Sequence, residues 1–137
     1  MSKLKFRSLN SLDKIMRELI TVYEKPTCTT CRHLAVLLRE NGIDYDKVNY
    51  FIEPLSEEQL KKLLKKAGLT AFEVSRKNES VVKELEITAD TPNDEILKHI
   101  VENPSILQRP IVEVGDRAVL ARPVEKALEL FGKTRQT

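Results

Sequence analysis

The sequence predicts an α/β fold built on a small mixed sheet, and three observations predict it. The first is "LITVY" (19–23), rich in β-branched residues and halted at Lys25-Pro26, as a buried strand is. The second is the helical stretch that follows it through Leu34, Val36, Leu37 and Leu38 towards a further strand. The third is the pair "PIVEV" (110–114) and "RAVLA" (117–121) flanking Gly115-Asp116, the signal of a hairpin. A βαβ half followed by a ββα half puts parallel and antiparallel pairs in one sheet. The chain's 137 residues suit one compact domain, and 41% apolar residues with only 5% aromatic ones imply a mainly aliphatic core.

Taken in order, Leu12, Ile15, Met16 and Leu19 recur at helical spacing, so residues 1–18 are read as an N-terminal extension holding a short helix. After the first strand, a helix from about Thr29 ends at Asn41-Gly42 as its C-terminal cap. "DKVNYF" (46–51) reads as the second strand. Ser56-Glu57-Glu58-Gln59 is a capping box with Leu55 and Leu60 as its hydrophobic staple, and Gly68 closes that helix. Thr70-Ala71-Phe72-Glu73 repeats the device and predicts a second, short helix ending around Arg76 to Asn78. Ser80 to Leu85 makes a further helical turn or two. Thr91-Pro92 opens a helix with Ile96, Leu97, Ile100 and Val101 on its apolar face. After the hairpin, Pro123 opens a last helix with Val124, Ala127, Leu128 and Phe131 inward and Gly132 as its cap; residues 133–137 are a tail. Lys61, Lys62, Lys65 and Lys66 read as one solvated helix face.

The charge balance narrows function. Charged residues make up 32% of the chain but leave a net +2, which gives no electrostatic reason to expect direct nucleic-acid or membrane binding. No apolar run approaches the ~20 residues that span a bilayer. Asp13, Lys14, Arg17 and Glu18 interrupt any signal-peptide core, so the chain is expected to be cytoplasmic. Thiols there stay reduced, and a lone cysteine pair is a poor structural staple.

Both cysteines fall within "YEKPTCTTCRHL", as Cys28 and Cys31. Cys28 is placed at the mouth of the first helix, where outward N–H groups carry partial positive charge and stabilise a thiolate. Cys31, one turn on, is close enough to attack a mixed disulfide formed on Cys28. A zinc site would need a second pair of ligands; His33 faces elsewhere, His99 is in a distant segment, and no metal is expected. Two incidental core cysteines fit the strand–loop–helix placement poorly. Arg76, Arg109 and Arg122 stand out by context, and guanidinium groups suit tetrahedral oxyanions. Spacing alone does not separate them from ordinary surface arginines.

Four blocks, "YEKPTCTTCR", "LTAFEVSRKN", "QRPIVEV" and "VLARPVEKALELF", carry a resemblance that runs from about residue 19 to 132. The chain resembles the glutaredoxin-linked arsenate reductase family, which also contains the Spx-like regulators. That resemblance implies a thioredoxin-like fold with a helical insertion at about 55–105. It implies that Cys28 is the nucleophile towards arsenate, that Arg76, Arg109 and Arg122 bind the oxyanion and its thiol adduct, and that Pro110 follows a cis bond facing the cysteine. It implies no bound cofactor, with glutathione and glutaredoxin, or thioredoxin, as electron donor. Two departures follow from the same comparison. Glu24-Lys25 stands where the reductases have His-Asn, which would raise the Cys28 pKa. Cys31 stands where they commonly have Ser, as in Spx, whose disulfide switches binding to RNA polymerase through its α-subunit. Three functions are therefore carried forward: an arsenate reductase-like thiol oxidoreductase, a redox-sensing regulator, and a general thiol–disulfide oxidoreductase.

Overall fold

The computed structural model describes residues 20–131. The expected N-terminal helix and the Gly132 cap lie outside them. Strands β1 (Ile20–Glu24), β2 (Asp46–Asn49), β3 (Ile111–Val114) and β4 (Arg117–Leu120) form one sheet in the order β2-β1-β3-β4. β1 runs parallel to β2 and antiparallel to β3, and β3 runs antiparallel to β4. Helix α1 (Thr29–Glu40) makes the crossover from β1 to β2. Between β2 and β3 stand α2 (Glu57–Ala67), α3 (Ser80–Glu84) and α4 (Asn93–Glu102), then a 3₁₀ turn at Pro104–Ile106.

Side chains of a strand alternate between the two faces of its sheet, and here each face is covered. Val22 and Val112 join Leu34, Leu38, Ala121 and Ala127 beneath α1 and the C-terminal segment. Tyr23 and Ile111 face the other way, into Leu60, Leu63, Leu64, Val74, Ile96, Leu97 and Leu107. The sheet is thus a middle layer with aliphatic packing on both sides. Each fully buried Leu contributes roughly 1.5–3 kcal/mol relative to an exposed one.

Local chemistry sets the element ends. Ser56 Oγ accepts from the Gln59 N–H at 3.0 Å and Gln59 Oε1 accepts from the Ser56 N–H at 2.9 Å, a complete capping box. α2 ends on Gly68 at φ +70, a left-handed conformation that glycine takes without a Cβ penalty. Gly115, at φ +61, does the same for the β3–β4 turn.

Four expectations are corrected. The box at Thr70–Glu73 forms, with reciprocal bonds of 2.9 and 3.1 Å, but it caps a single turn and no helix follows. The chain leaves helical geometry because its backbone groups are used elsewhere. Ser75 bridges Leu107 in antiparallel fashion, the Arg76 N–H donates to the Ile106 carbonyl at 2.6 Å, and the Gln108 N–H donates to the Val74 carbonyl at 2.8 Å. The C-terminal helix is a 3₁₀ helix, Val124–Phe131; Ala127 and Leu128 are buried as expected, with Val124 and Phe131 partly so. Lys66 does not belong to a solvated face: its Nζ pairs with Glu113, whose other carboxylate oxygen accepts from the Tyr23 hydroxyl at 2.7 Å. The second strand also stops at Asn49, because Tyr50 turns into the core.

Candidate active site

The C-terminal end of β1 delivers the chain to the site. The Cys28 N–H donates to the Lys25 carbonyl at 2.9 Å, closing a turn over Pro26 and Thr27. Cys28 is then the N-cap of α1 in extended conformation, and its carbonyl accepts the first helical bond, from the Arg32 N–H at 3.0 Å. The cap position leaves the first amide groups of the helix without partners in the helix, and the Cys28 sulfur lies beside those of Thr30 and Cys31. Arg32 Nη1 donates to the Thr27 carbonyl at 3.0 Å and pins the turn from outside.

Both cysteines are free thiols. Burial works against ionising Cys28 and is the largest single influence on it. It is outweighed by the Cys31 N–H, the Cys31 thiol, the Thr30 N–H and the Arg109 guanidinium together, so the pKa falls below the ordinary thiol value. Cys31 moves the opposite way. It is 2% exposed, and burial, countered by the Lys25 N–H and reinforced by Cys28 and by the Glu24 charge, pushes it up to about 12. The hydrogen bond between the two sulfurs runs from the Cys31 thiol to Cys28 and favours the Cys28 thiolate. The Glu24 carboxylate raises the pKa of Cys31 and of Tyr45.

Arg109 comes from the loop before β3, across a cis bond to Pro110. Its side chain is buried, 8% exposed, and Nη1 donates to the Leu107 carbonyl at 3.2 Å. The guanidinium carbon lies 5.6 Å from the centroid of Phe51, and Nε is buried with no hydrogen-bond partner among the described residues. Lys25 Nζ lies 4.8 Å from the same ring, so one aromatic face system steadies two cations next to Cys28. The Tyr50 hydroxyl also donates to the Leu107 carbonyl, at 3.2 Å, and Tyr50 feels the charges of Arg109, Cys31 and Arg76. Burial dominates there and holds the phenol well above its ordinary pKa, hence neutral.

The other two arginines are placed by the same loop. Arg122, beyond β4 and before the cis bond to Pro123, donates from Nη1 to the Arg109 carbonyl at 2.9 Å. Arg76 stands where the 70–76 turn bridges Ile106–Gln108, with Nε 3.8 Å from Glu79 Oε2. Gln108 Nε2 reinforces that bridge by donating to the carbonyls of Glu73 (3.1 Å) and Ser75 (3.3 Å). Arg109 thus acts directly on Cys28, Arg122 is tied to the Arg109 backbone, and Arg76 is connected to them by its charge on Tyr50 alone among the described interactions. His33 is exposed and His99 sits by Glu95, and no group of His, Cys, Asp and Glu suited to a metal ion occurs among the described residues. Sequence reasoning missed Tyr50 and Phe51, whose signal was two adjacent aromatics after a strand in a chain with few of them.

This sheet order, with a thiol at the mouth of the first crossover helix and a cis-proline loop opposite, defines a protein of thioredoxin-like fold. Residues 23–130 match the model of the ArsC family, and the chain belongs to that family. It is 34% identical over 119 residues to the uncharacterized protein YfgD of Escherichia coli K12, covering 85% of this chain and all of that one. It is 34% identical over 95 residues to the global transcriptional regulator Spx 1 of Bacillus cereus, covering 69% of this chain and 72% of the regulator. The solved arsenate reductase from Vibrio cholerae superposes with a TM-score of 0.76 at 30% identity, covering 80% of this chain and 95% of that one. No helix among the described residues is long and apolar enough to cross a membrane.

Proposed function

We propose that the protein is a thiol-dependent oxidoreductase acting on a small oxyanion of the arsenate type. The observation that carries this reading is the Cys28 sulfur at the start of α1, beside the Arg109 guanidinium and with the Cys31 thiol against it. The Cys28 thiolate attacks arsenic(V) and an oxygen leaves as water, giving a thiol adduct. Arg109, Arg76 and Arg122 neutralise the oxyanion as it binds and reacts. Cys31 then attacks the Cys28 sulfur. The sulfur–arsenic bond breaks with its electron pair going to arsenic, which leaves as arsenic(III), and a Cys28–Cys31 disulfide forms. Two thiols have supplied two electrons. Glutathione with glutaredoxin, or thioredoxin, restores them. Of the family, the Vibrio cholerae arsenate reductase supports the substrate class.

Arsenate and a small organic disulfide assayed side by side test the reading. Turnover of arsenate that disappears in Cys28→Ser supports it. Retained turnover removes Cys28 from the role, and turnover of the disulfide alone makes the protein a general thiol–disulfide oxidoreductase.

A second reading rests on the C-x-x-C pair and on the likeness to Spx 1. In it, formation of the Cys28–Cys31 disulfide changes affinity for RNA polymerase. The C-terminal domain of the polymerase's α-subunit, offered to oxidised and to reduced protein in a capture experiment, decides it. No capture in either state counts against it. Both readings place the protein in the cytoplasm, where thiol donors are plentiful.

A further inference from the structure

Among the described residues, Glu24 is the one buried carboxylate beside the two cysteines, and the chemistry above leaves it unused. It ends β1 on the face that carries Val22, under α1, and is only 7% exposed. Burying a carboxylate is costly, and an amide or an aliphatic side chain would sit there more cheaply. Its position is specific: Glu24 and Cys31 line one depression, open to solvent, together with Pro26, Arg32, Ala35 and Lys47. The groups facing it come from each surrounding element. Cys31 and Arg32 project from α1, Lys47 from β2, and Tyr45 from the loop before β2; Asn49 stands opposite in the strand register.

Cys31 has a protonation problem that Cys28 does not share. With its pKa pushed up to about 12, almost none of it is thiolate at neutral pH. Two of the influences holding the proton on come from Cys28 itself, as hydrogen-bond acceptor and as negative charge. Both vanish once the Cys28 sulfur is bonded to a substrate. What remains is a buried thiol next to a buried carboxylate, whose own proton affinity is raised by burial and tempered by the Lys47 charge. A base works best when its pKa approaches the operating pH, and burial moves Glu24 in that direction.

We propose that Glu24 accepts the Cys31 proton in the step that closes the Cys28–Cys31 disulfide. This deepens the reading of Cys28 as the nucleophile and rests on it. With a disulfide substrate R–S–S–R, the Cys28 thiolate attacks one sulfur and expels the first R–S⁻, leaving Cys28–S–S–R. The Cys31 proton passes to the Glu24 carboxylate, directly or through a water in the depression. The Cys31 thiolate attacks the Cys28 sulfur, the bond to R breaks, and the second R–S⁻ leaves. Two protein thiols are oxidised, one disulfide is reduced to two thiolates, and Glu24 returns its proton to solvent.

The probe is the aromatic disulfide dithiobis(nitrobenzoate), in which each thiolate released is coloured, followed by stopped flow on the full chain. The first release reports Cys28 and the second reports Cys31. In Glu24→Gln the second release slows by roughly tenfold or more at neutral pH and recovers as the pH is raised, while the first stays within about twofold. Glu24→Asp restores part of the second rate. A second release of unchanged rate in Glu24→Gln overturns the proposal, and so does an equal fall in both releases, which would mark a packing role. Absence of the first release in the native protein overturns the Cys28 reading and this inference with it. Should Glu24→Gln fail to fold, Lys47→Met replaces it, because Lys47 is exposed. Loss of that cation moves the break in the pH profile of the second release to higher pH; an unmoved break overturns the proposal.

Discussion

Arg122 Nη1 is tied to the Arg109 carbonyl at 2.9 Å, so the guanidinium that follows β4 reports the position of the loop before β3. Arg122→Ala removes this link and, on the proposed reading, one oxyanion donor with it. The expected result is a KM for arsenate raised on the order of tenfold, the loss of one charge-assisted hydrogen bond, with Cys28 alkylation unchanged. Arg122→Lys keeps the charge but not the geometry of paired donors, and is expected to restore only part of the affinity.

Arg109 is expected to act on the nucleophile itself. Its guanidinium is among the groups that lower the Cys28 pKa, so Arg109→Met removes a lowering influence and the pKa rises. The pH dependence of iodoacetamide alkylation, measured in a Cys31→Ser background so that a single thiol reacts, shifts to higher pH. An unshifted curve would show that the amide groups of α1 suffice.

Gln108 straps the turn that carries Arg76 to the loop that carries Arg109. Gln108→Ala loses the two side-chain bonds and keeps the backbone one. It is expected to cost about 1 kcal/mol in urea unfolding and to weaken arsenate turnover through a looser Arg76. The Cys28 alkylation profile stays where it was.

Leu34 is fully buried on the inner face of α1, on the layer that holds the helix against Val22 and Val112. Leu34→Ala is expected to lower stability by about 2–5 kcal/mol, read from denaturant midpoints at unchanged slope.

Alkaline pH tests the asymmetry of the two thiols. The folded Cys31 pKa of about 12 lies above the ordinary 9.0, so its contribution to stability is intact below pH 9 and is lost as pH rises towards 12. Cys28 is lowered, and its contribution is present above the ordinary value and lost as pH falls through the folded one. The reduced protein is therefore expected to weaken above pH 9, in thermal melts taken with a phosphine reductant, and Cys31→Ala flattens the decline.

What was legible in the sequence follows from which forces act locally. The hairpin at Gly115-Asp116, the Ser56 box and the Cys28 cap are decided within a few residues, and each stands where the pattern placed it. The Thr70 box misled because its local chemistry is real while the next residues bond to a segment some thirty positions away. No local rule distinguishes a capped helix from a capped turn when the competing partner is that distant. The same applies to Lys66, whose Glu113 partner lies across the fold, and to Tyr50 and Phe51, which meet Leu107 and Arg109 only after the insertion has closed. Glu24 was recognised as unusual, but its effect on Cys31 was not legible, because the two share one depression only once β1 and α1 have packed together.

The deep seating of Cys31 has a consequence for damage. Peroxide arriving from solvent meets Cys28 first and leaves a sulfenic acid there. On the proposed reading, the sheltered Cys31 thiol is expected to condense with it, releasing water and joining the two sulfurs. The pair is then expected to end as a bond that thiols can reopen, with irreversible overoxidation of Cys28 rising in Cys31→Ser, read by mass spectrometry after peroxide treatment.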